Sequence, residues 1–269
     1  DRILGIGVGV PGLVDIERGV GLYYANMPDW RDVPLKDLLE LEFRLPAYID
    51  NNSKLTALGE KAFGAGQDVQ NLVCIIVRTG IGMGIIINGQ LYHGASQTAG
   101  EIGHVIVDRT GPKCKCGKRG CLEVLASNQA VVAKVQKALR NHVGEAGQGG
   151  SKILEFVNGN LDELTAKVVW KAARAGDPLA IQVMRETAEY IGLAISDLVN
   201  LFNPEMVIIA GDFIEGGEEF LIWVREAARE MALERPFNAA KIVFASLGEN
   251  AGAIGAATLV LEKRFQTVR

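Results

Sequence analysis

Apolar positions along the chain fall into two rhythms. Short unbroken runs rich in β-branched residues predict buried strands closed by turns: "ILGIGVGVPG" (3–12), "PAYID" (46–50), "NLVCIIV" (71–77), "PEMVIIAGD" (204–212) and "KIVFAS" (241–246). Between them lie stretches with helical spacing. "LKDLLELEFR" (35–44) follows Pro34, a good first-turn residue, and residues 51–66 are opened by Asn caps and closed by glycine. "GIIINGQLYHG" (84–94) predicts a hairpin, because Asn88-Gly89 supplies the two positive-φ residues of a type I′ turn. After residue 121 the spacing becomes mostly helical. "AGDPLA" (175–180) ends one helix at Gly176 and starts the next with Asp177 as cap and Pro178 at its first position, and that helix runs to about Phe202. A helix over 217–232 and an Ala-rich helix from about Asn250 complete the pattern. Strands alternating with helices predict an α/β protein with mostly parallel sheets covered by helices. Only "GEAGQGGS" (144–151) reads as a flexible loop.

Composition narrows the class. A chain of 269 residues can hold one large domain or two lobes, each with its own core. Hydrophobic residues at 48% and 32 glycines suit an α/β protein with many tight strand-to-helix turns. A net charge of -4 argues against this chain gripping nucleic acid or an anionic membrane by itself. No apolar run approaches the roughly 20 residues of a membrane span. No signal peptide opens the chain, and the cysteines do not form a secreted disulfide framework, so the cytoplasm is the expected location. The first residue is Asp1 rather than Met, which leads us to expect a natural N-terminus further upstream.

"HVIVDRTGPKCKCGKRGCLEVL" (104–125) gathers one of three histidines and three of four cysteines. His104 precedes Cys114 by ten residues; Cys116 and Cys121 follow. Three thiolates and one imidazole are a usual closed tetrahedral set for structural zinc. Glycines at 117 and 120 let the backbone fold tightly enough for Cys116 and Cys121 to reach one ion, and Lys113, Lys115, Lys118 and Arg119 offset the thiolate charge. Reduced surface cysteines or a Cys114–Cys121 disulfide are the alternatives, and four matched ligands within eighteen residues favour zinc. Cys74, inside the apolar strand, reads as a small core residue. His93 and His142 have no partners in sequence and read as solvated or structural.

With every zinc position filled by protein, the ion positions rather than reacts. Glu101 lies three residues before His104 and Glu123 two after Cys121, so a metal pinning those ligands also fixes both carboxylates. His104 keeps one ring N–H to donate. Two acceptors and a donor suit a polyhydroxylated ligand such as a sugar. Without the metal, each Glu would read as a solvated or capping residue.

The segment "GEIGHVIV...GPKCKCGKRGCLE" (100–123) closely resembles the signature of the ROK family of repressors, open reading frames and sugar kinases. "GIGVGVPGLVD" (5–15), "ALGEKAFGAG" (57–66), "TGIGMG" (79–84), "AGDPLA" (175–180) and "NPEMVIIAG" (203–211) resemble further family segments in the family's order. The resemblance implies a two-lobed, actin-like (ribonuclease-H-like) ATPase fold with a zinc loop over 104–121 and a sugar in the interlobe cleft. The smaller lobe is expected to comprise 1–51 plus about 251–269, and the larger 52–250. The family's zinc ligands fall on His104, Cys114, Cys116 and Cys121. Its sugar contacts fall on Asn51, Asn52, Glu101, His104 and Glu123. Family kinases use ATP and magnesium. Family repressors carry an upstream helix-turn-helix, so DNA would be reached only through that domain. Homodimers or homotetramers are the expected assemblies.

Two departures shape the expected function. Family kinases have an aspartate as general base where "DNNSK" (50–54) has Asn52. An amide cannot take a hydroxyl proton near neutral pH, and general-base assistance is worth roughly 10²–10⁴ in rate. The "DxGxT" phosphate loop of family kinases is also absent, as though an N-terminal hairpin unit were missing. Thr79, Gly80, Gly82 and Gly84 could form a vestigial phosphate loop, although a tight turn kept for folding is the plainer reading. Arg78, where the family commonly has glycine, weakens nucleotide binding further. The expectation is a sugar-sensing, effector-binding module of a ROK repressor, of the xylose- or glucose-responsive kind. The alternative is an ATP-dependent, glucokinase-like kinase whose phosphate loop lies outside this chain.

Overall fold

The computed structural model describes residues 3–24, 27–141 and 151–266; His142 and residues 144–150 of the glycine-rich stretch lie outside them. The first apolar run forms β1 (Ile6–Val10), which turns at Gly12 with φ 78°. It pairs in parallel with β5 (Ala47–Asn51), Ile6 opposite Ala47 and Val10 opposite Asn51. Between them runs an antiparallel meander, β2 (Leu13–Asp15), β3 (Val20–Tyr24) and β4 (Met27–Val33). The hydrophobic pattern does not announce it, because "MPDWRDV" breaks apolar alternation with charges and a proline, as edge strands do. Helix α1 (Leu35–Phe43) follows and stops at Arg44, which adopts the left-handed conformation. Helix α2 (Asn52–Phe63) leaves directly from the end of β5.

A five-stranded sheet carries the rest: β6 (Leu72–Val77), β7 (Ile81–Ile87), β8 (Gln90–Leu91), β9 (Met206–Gly211) and β10 (Lys241–Phe244), in the order β10-β9-β6-β7-β8. β9 is parallel to both β6 and β10, but β7 is antiparallel to β6 and β8. The expectation of mostly parallel sheets is corrected here. β6 and β7 are joined by a tight turn closed by Arg78 N–H donating to the Gly80 carbonyl (2.9 Å), too short for the crossover that parallel strands need. The β7–β8 hairpin turns at Asn88 and Gly89, φ 52° and 76°, as the Asn-Gly pair predicts.

Every residue of β6 is buried, which is why its run shows no alternation. Val73, Ile75 and Val77 join Ile81, Met83 and Ile85 against α7 (Pro178–Phe202). Cys74 and Ile76 share the other face with Ala57 of α2. Burial pushes the Cys74 thiol well above the usual range, fitting an inert core residue. α7 begins as read: Asp177 accepts the Ala180 N–H (2.9 Å) ahead of Pro178. Helices α3 (Leu122–Ala126), α4 (Asn128–Asn141), α5 (Lys152–Phe156), α6 (Ala166–Arg174), α8 (Gly217–Met231) and α9 (Glu234–Ala239) complete this layer. Trp170, Phe213 and Phe220 lock α6 and α8 edge to face, with centroids 4.7–5.4 Å apart.

Helix α10 (Ala251–Gln266) crosses α2 so closely that a Cβ on Gly255 would lie 1.7 Å from the Leu55 carbonyl oxygen. Only glycine allows that approach, and Leu55, Leu58, Ala256 and Leu259 fill the seam beside it. Among the described residues, no helix is long and apolar enough to cross a membrane.

Candidate metal centre and ligand site

His104 ends a short 3₁₀ turn, Ile102–His104, and Cys121 caps the start of α3. The loop between them is tied by its own backbone: Cys114 N–H to the Lys118 carbonyl (2.7 Å), Gly120 N–H to Pro112 (2.9 Å) and Val107 N–H to Gly120 (2.9 Å). Gly120 has φ 68°, and a Cβ there would sit 1.4 Å from the Asp108 carbonyl oxygen, so the closing turn demands glycine. The loop brings one ligand atom each from His104, Cys114, Cys116 and Cys121 within 4.8 Å of one another. Cys116 and Cys121 Sγ are 3.6 Å apart and Cys114 Sγ lies 3.7 Å from His104 Nδ1. Tetrahedral zinc with thiolate and imidazole ligands has edges of about 3.6–3.8 Å, so the donor set fits that ion. The cysteines are free, which removes the Cys114–Cys121 disulfide alternative.

The thiols differ in how readily they ionise. The Lys118 backbone N–H lowers the exposed Cys116, whereas burial, with the neighbouring thiols, pushes Cys121 up to about 12. Zinc bound here would displace the thiol protons, that of Cys121 least readily. A zinc ion held by these four residues would brace the loop and leave no open position for water.

Of the two carboxylates flanking the loop, Glu101 is exposed and Glu123 is half-buried. Glu123 Oε2 accepts the Ile81 N–H at the start of β7 (3.2 Å). A Cβ on Gly80 would lie 2.5 Å from that oxygen, so the turn must be bare for Glu123 to reach it. Gly82 and Gly84 face the other way, where a Cβ would meet Ser53 Oγ at 2.2 Å and Ala57 Cβ at 2.3 Å. The glycine spacing of "TGIGMG" thus lets α2 and Glu123 close on β7. Thr79 alone of that set borders a separate groove of about 530 Å³, with Asn128, Lys167 and Asp212. Asn128 Nδ2 donates to Asp212 Oδ2 (2.6 Å), and among the described residues its buried Oδ1 has no partner. Sequence reasoning misses this groove; its one signal is the Gly211-Asp212 turn ending β9.

At the β5–α2 corner, Asn51 caps the helix, its Oδ1 accepting from Ser53 N–H (2.8 Å) and Lys54 N–H (3.4 Å). Its Nδ2 donates to the Gly12 carbonyl (2.9 Å), leaving one amide hydrogen for a ligand. Asn52 is exposed at the first position of α2, with Ser53 Oγ 3.5 Å from its Oδ1. Asp50, 2% exposed, lies 2.7 Å from His93 Nε2. His93 therefore has a partner that its sequence position does not reveal, and the pair ties the segment entering Glu101 to β5. Lys54 donates to the Gln97 carbonyl, and Gln97 Oε1 accepts the Ile16 N–H (2.7 Å). Burial lowers the Lys54 pKa, while the charges of Asp50 and Glu101 oppose the shift. None of Asp50, Lys54, His93 or Gln97 stands out in sequence, because each finds its partner only across the fold.

Comparison with known proteins matches this geometry to a family. The ROK family profile covers residues 1–263. A glucokinase of Halalkalibacterium halodurans is 37% identical over 262 residues, covering 97% of this chain and 77% of that protein. A xylose repressor of Caldicellulosiruptor bescii is 37% identical over 259 residues, covering 96% of this chain but only 63% of the repressor. A ROK family glucokinase from Streptomyces griseus, solved in complex with glucose and AMPPNP, superposes with a TM-score of 0.86 at 35% identity, covering 96% of this chain and 81% of that one. With the profile spanning nearly all its residues and relatives of this similarity on both sides of the family, the chain is a member of the ROK family and has its actin-like α/β fold.

Proposed function

We propose that this chain is the sugar-sensing, effector-binding part of a ROK transcriptional repressor, holding a monosaccharide without phosphorylating it. The carrying observation is Asn52, exposed at the first position of α2, where family kinases have an aspartate. Asn51, Asn52, Glu101, His104 and Glu123 would meet the sugar's hydroxyls, with the zinc ion bracing His104 and Glu123. The chain would work as two lobes, 1–51 with about 251–269 and 52–250, in a cytoplasmic homodimer or homotetramer. Closure on the sugar would move a helix-turn-helix lying outside this chain; a tenfold shift in operator affinity needs about 1.4 kcal/mol of differential sugar binding.

A second reading is an ATP-dependent sugar kinase. It is favoured by the groove between Thr79 and Asp212 and by the glucokinase solved with a nucleotide analogue. Calorimetry of the zinc-loaded protein with common pentoses and hexoses, together with a coupled ATP assay, separates the two. The sensor reading expects binding without turnover, and partial activity in Asn52→Asp with none in the parent would support it. Absence of binding by every sugar would defeat it, and turnover of the parent near 10 per second would establish the kinase instead.

A further inference from the structure

Lys54 lies in the first turn of α2, two residues after Asn52, and is only 4% exposed. A buried ammonium is costly unless it is paired and its hydrogens are satisfied, and it has three to satisfy. Among the described residues its Nζ makes one hydrogen bond, to the Gln97 carbonyl. Two carboxylates share its surroundings, Asp50 and Glu101. Asp50 is already engaged, with Oδ1 accepting the Asn51 N–H and Oδ2 facing His93 Nε2, both at 2.7 Å. Glu101 is exposed, and among the described residues its side chain makes no hydrogen bond. A charged donor and a charged acceptor thus lie within range of each other's field at the helix corner, without an ion pair between them.

The anchor on the lysine is itself held under strain. Gln97 has φ 63°, a left-handed conformation that a non-glycine residue keeps only where its surroundings over-determine it. Lys54 grips its carbonyl and the Ile16 N–H grips its side chain. Fixing one N–H in this way leaves the others with defined directions.

We propose that Lys54 reads the ligand, its remaining N–H groups meeting one hydroxyl oxygen of a sugar whose adjacent hydroxyl donates to Glu101. This deepens the sugar-binding reading and rests on it. A donor and an acceptor of opposite charge at one corner, not paired with each other, suit a neutral diol placed between them. A carboxylate or phosphate at the same position would face both Asp50 and Glu101. The ligand class is therefore an uncharged monosaccharide with a free diol, in preference to a sugar acid or sugar phosphate.

Calorimetric titration with D-glucose, D-xylose, each of their monodeoxy forms and the corresponding sugar acids tests this on the parent and on Lys54→Met. Sites built around a hydroxyl strongly reject the analogue lacking it. The parent is expected to lose tenfold or more in affinity on deoxygenation at adjacent carbons and to reject the acids. In Lys54→Met the discrimination at one of those carbons should collapse toward one, while ratios at the other carbons stay unchanged. A purely structural lysine would weaken all analogues by the same factor, and that outcome overturns the proposal. If Lys54→Met does not fold, Lys54→Gln carries the same expectation. A parent that binds no sugar defeats the sugar reading and this role together; a discriminating parent whose pattern survives the substitution defeats only the role of Lys54.

Discussion

The cysteine loop and the glycine-rich turn lie against the same end of β7, yet they are held by opposite means. Between residues 105 and 121, buried positions are confined to Gly111, Cys114, Gly120 and Cys121; the others are exposed or half-buried. Such a segment removes little apolar surface from water and cannot offset the entropy of its ordering by packing alone. Beyond its backbone hydrogen bonds, the added hold would come from an ion at the four side chains that converge there. The turn over 78–84 needs no such ligand, because Gly80, Gly82 and Gly84 are each covered by a neighbouring element. One region would lean on a bound species and the other is built into the fold, although both look like binding motifs in sequence.

The largest effect expected from that contrast is on metal removal. Structural zinc sites carry on the order of 10 kcal/mol of binding free energy that ordering of the loop depends on. Chelation, or Cys121→Ser, should release stoichiometric zinc, unfold residues near 104–121 and weaken sugar binding at least a hundredfold. Hydrogen exchange should leave β6, β7 and α7 protected. The pH dependence has a definite sign. Zinc requires thiolates, and burial holds the Cys121 thiol at about 12 in the absence of metal. Binding at neutral pH therefore releases protons, and apparent zinc affinity rises with pH and falls on acidification. Calorimetry in buffers of different ionisation enthalpy reads that proton release directly. Unchanged protection of the loop after chelation would break the comparison.

The complementary perturbation is Gly84→Val. A Cβ there would lie 2.3 Å from Ala57 Cβ and 3.0 Å from the Ser53 carbonyl oxygen, so α2 must move off β7. Overpacking of this kind costs about 3 kcal/mol and should lower the melting temperature by several degrees, while zinc stoichiometry stays at one. Loss of zinc from this variant would mean that the two regions share their support.

How legible each region is from sequence follows from the same distinction. The zinc ligands can be read because the requirement is local, with four soft side chains at short spacing and glycines where the backbone must turn. Buried strands such as β6 and the Asn51 and Asp177 caps are legible for the same reason. Gly82 and Gly84 do not reveal that α2 lies across them, because a close approach leaves no mark on the element that approaches. The Asp50–His93 pair and the Lys54–Gln97–Ile16 chain join residues 43 and 81 positions apart and have no sequence period to betray them. The β2–β4 meander escapes notice because its short edge strands carry charges and proline where alternation would be expected.

Glu123 is the side chain that joins the two regions, two residues past Cys121 and bonded to Ile81 N–H at 3.2 Å. Replacing it with Gln keeps the shape and leaves an oxygen able to accept that N–H, so the fold should lose no more than about 1 kcal/mol. What the amide loses is the charge that strengthens a hydrogen bond from a ligand hydroxyl, a difference of roughly tenfold in affinity. The expected result is therefore a weakened sugar isotherm with zinc content, melting temperature and the proton release on metal binding close to those of the parent. A variant that sheds zinc as well would assign Glu123 to holding the loop on the turn. Retained affinity would instead leave recognition to Glu101 and the α2 corner.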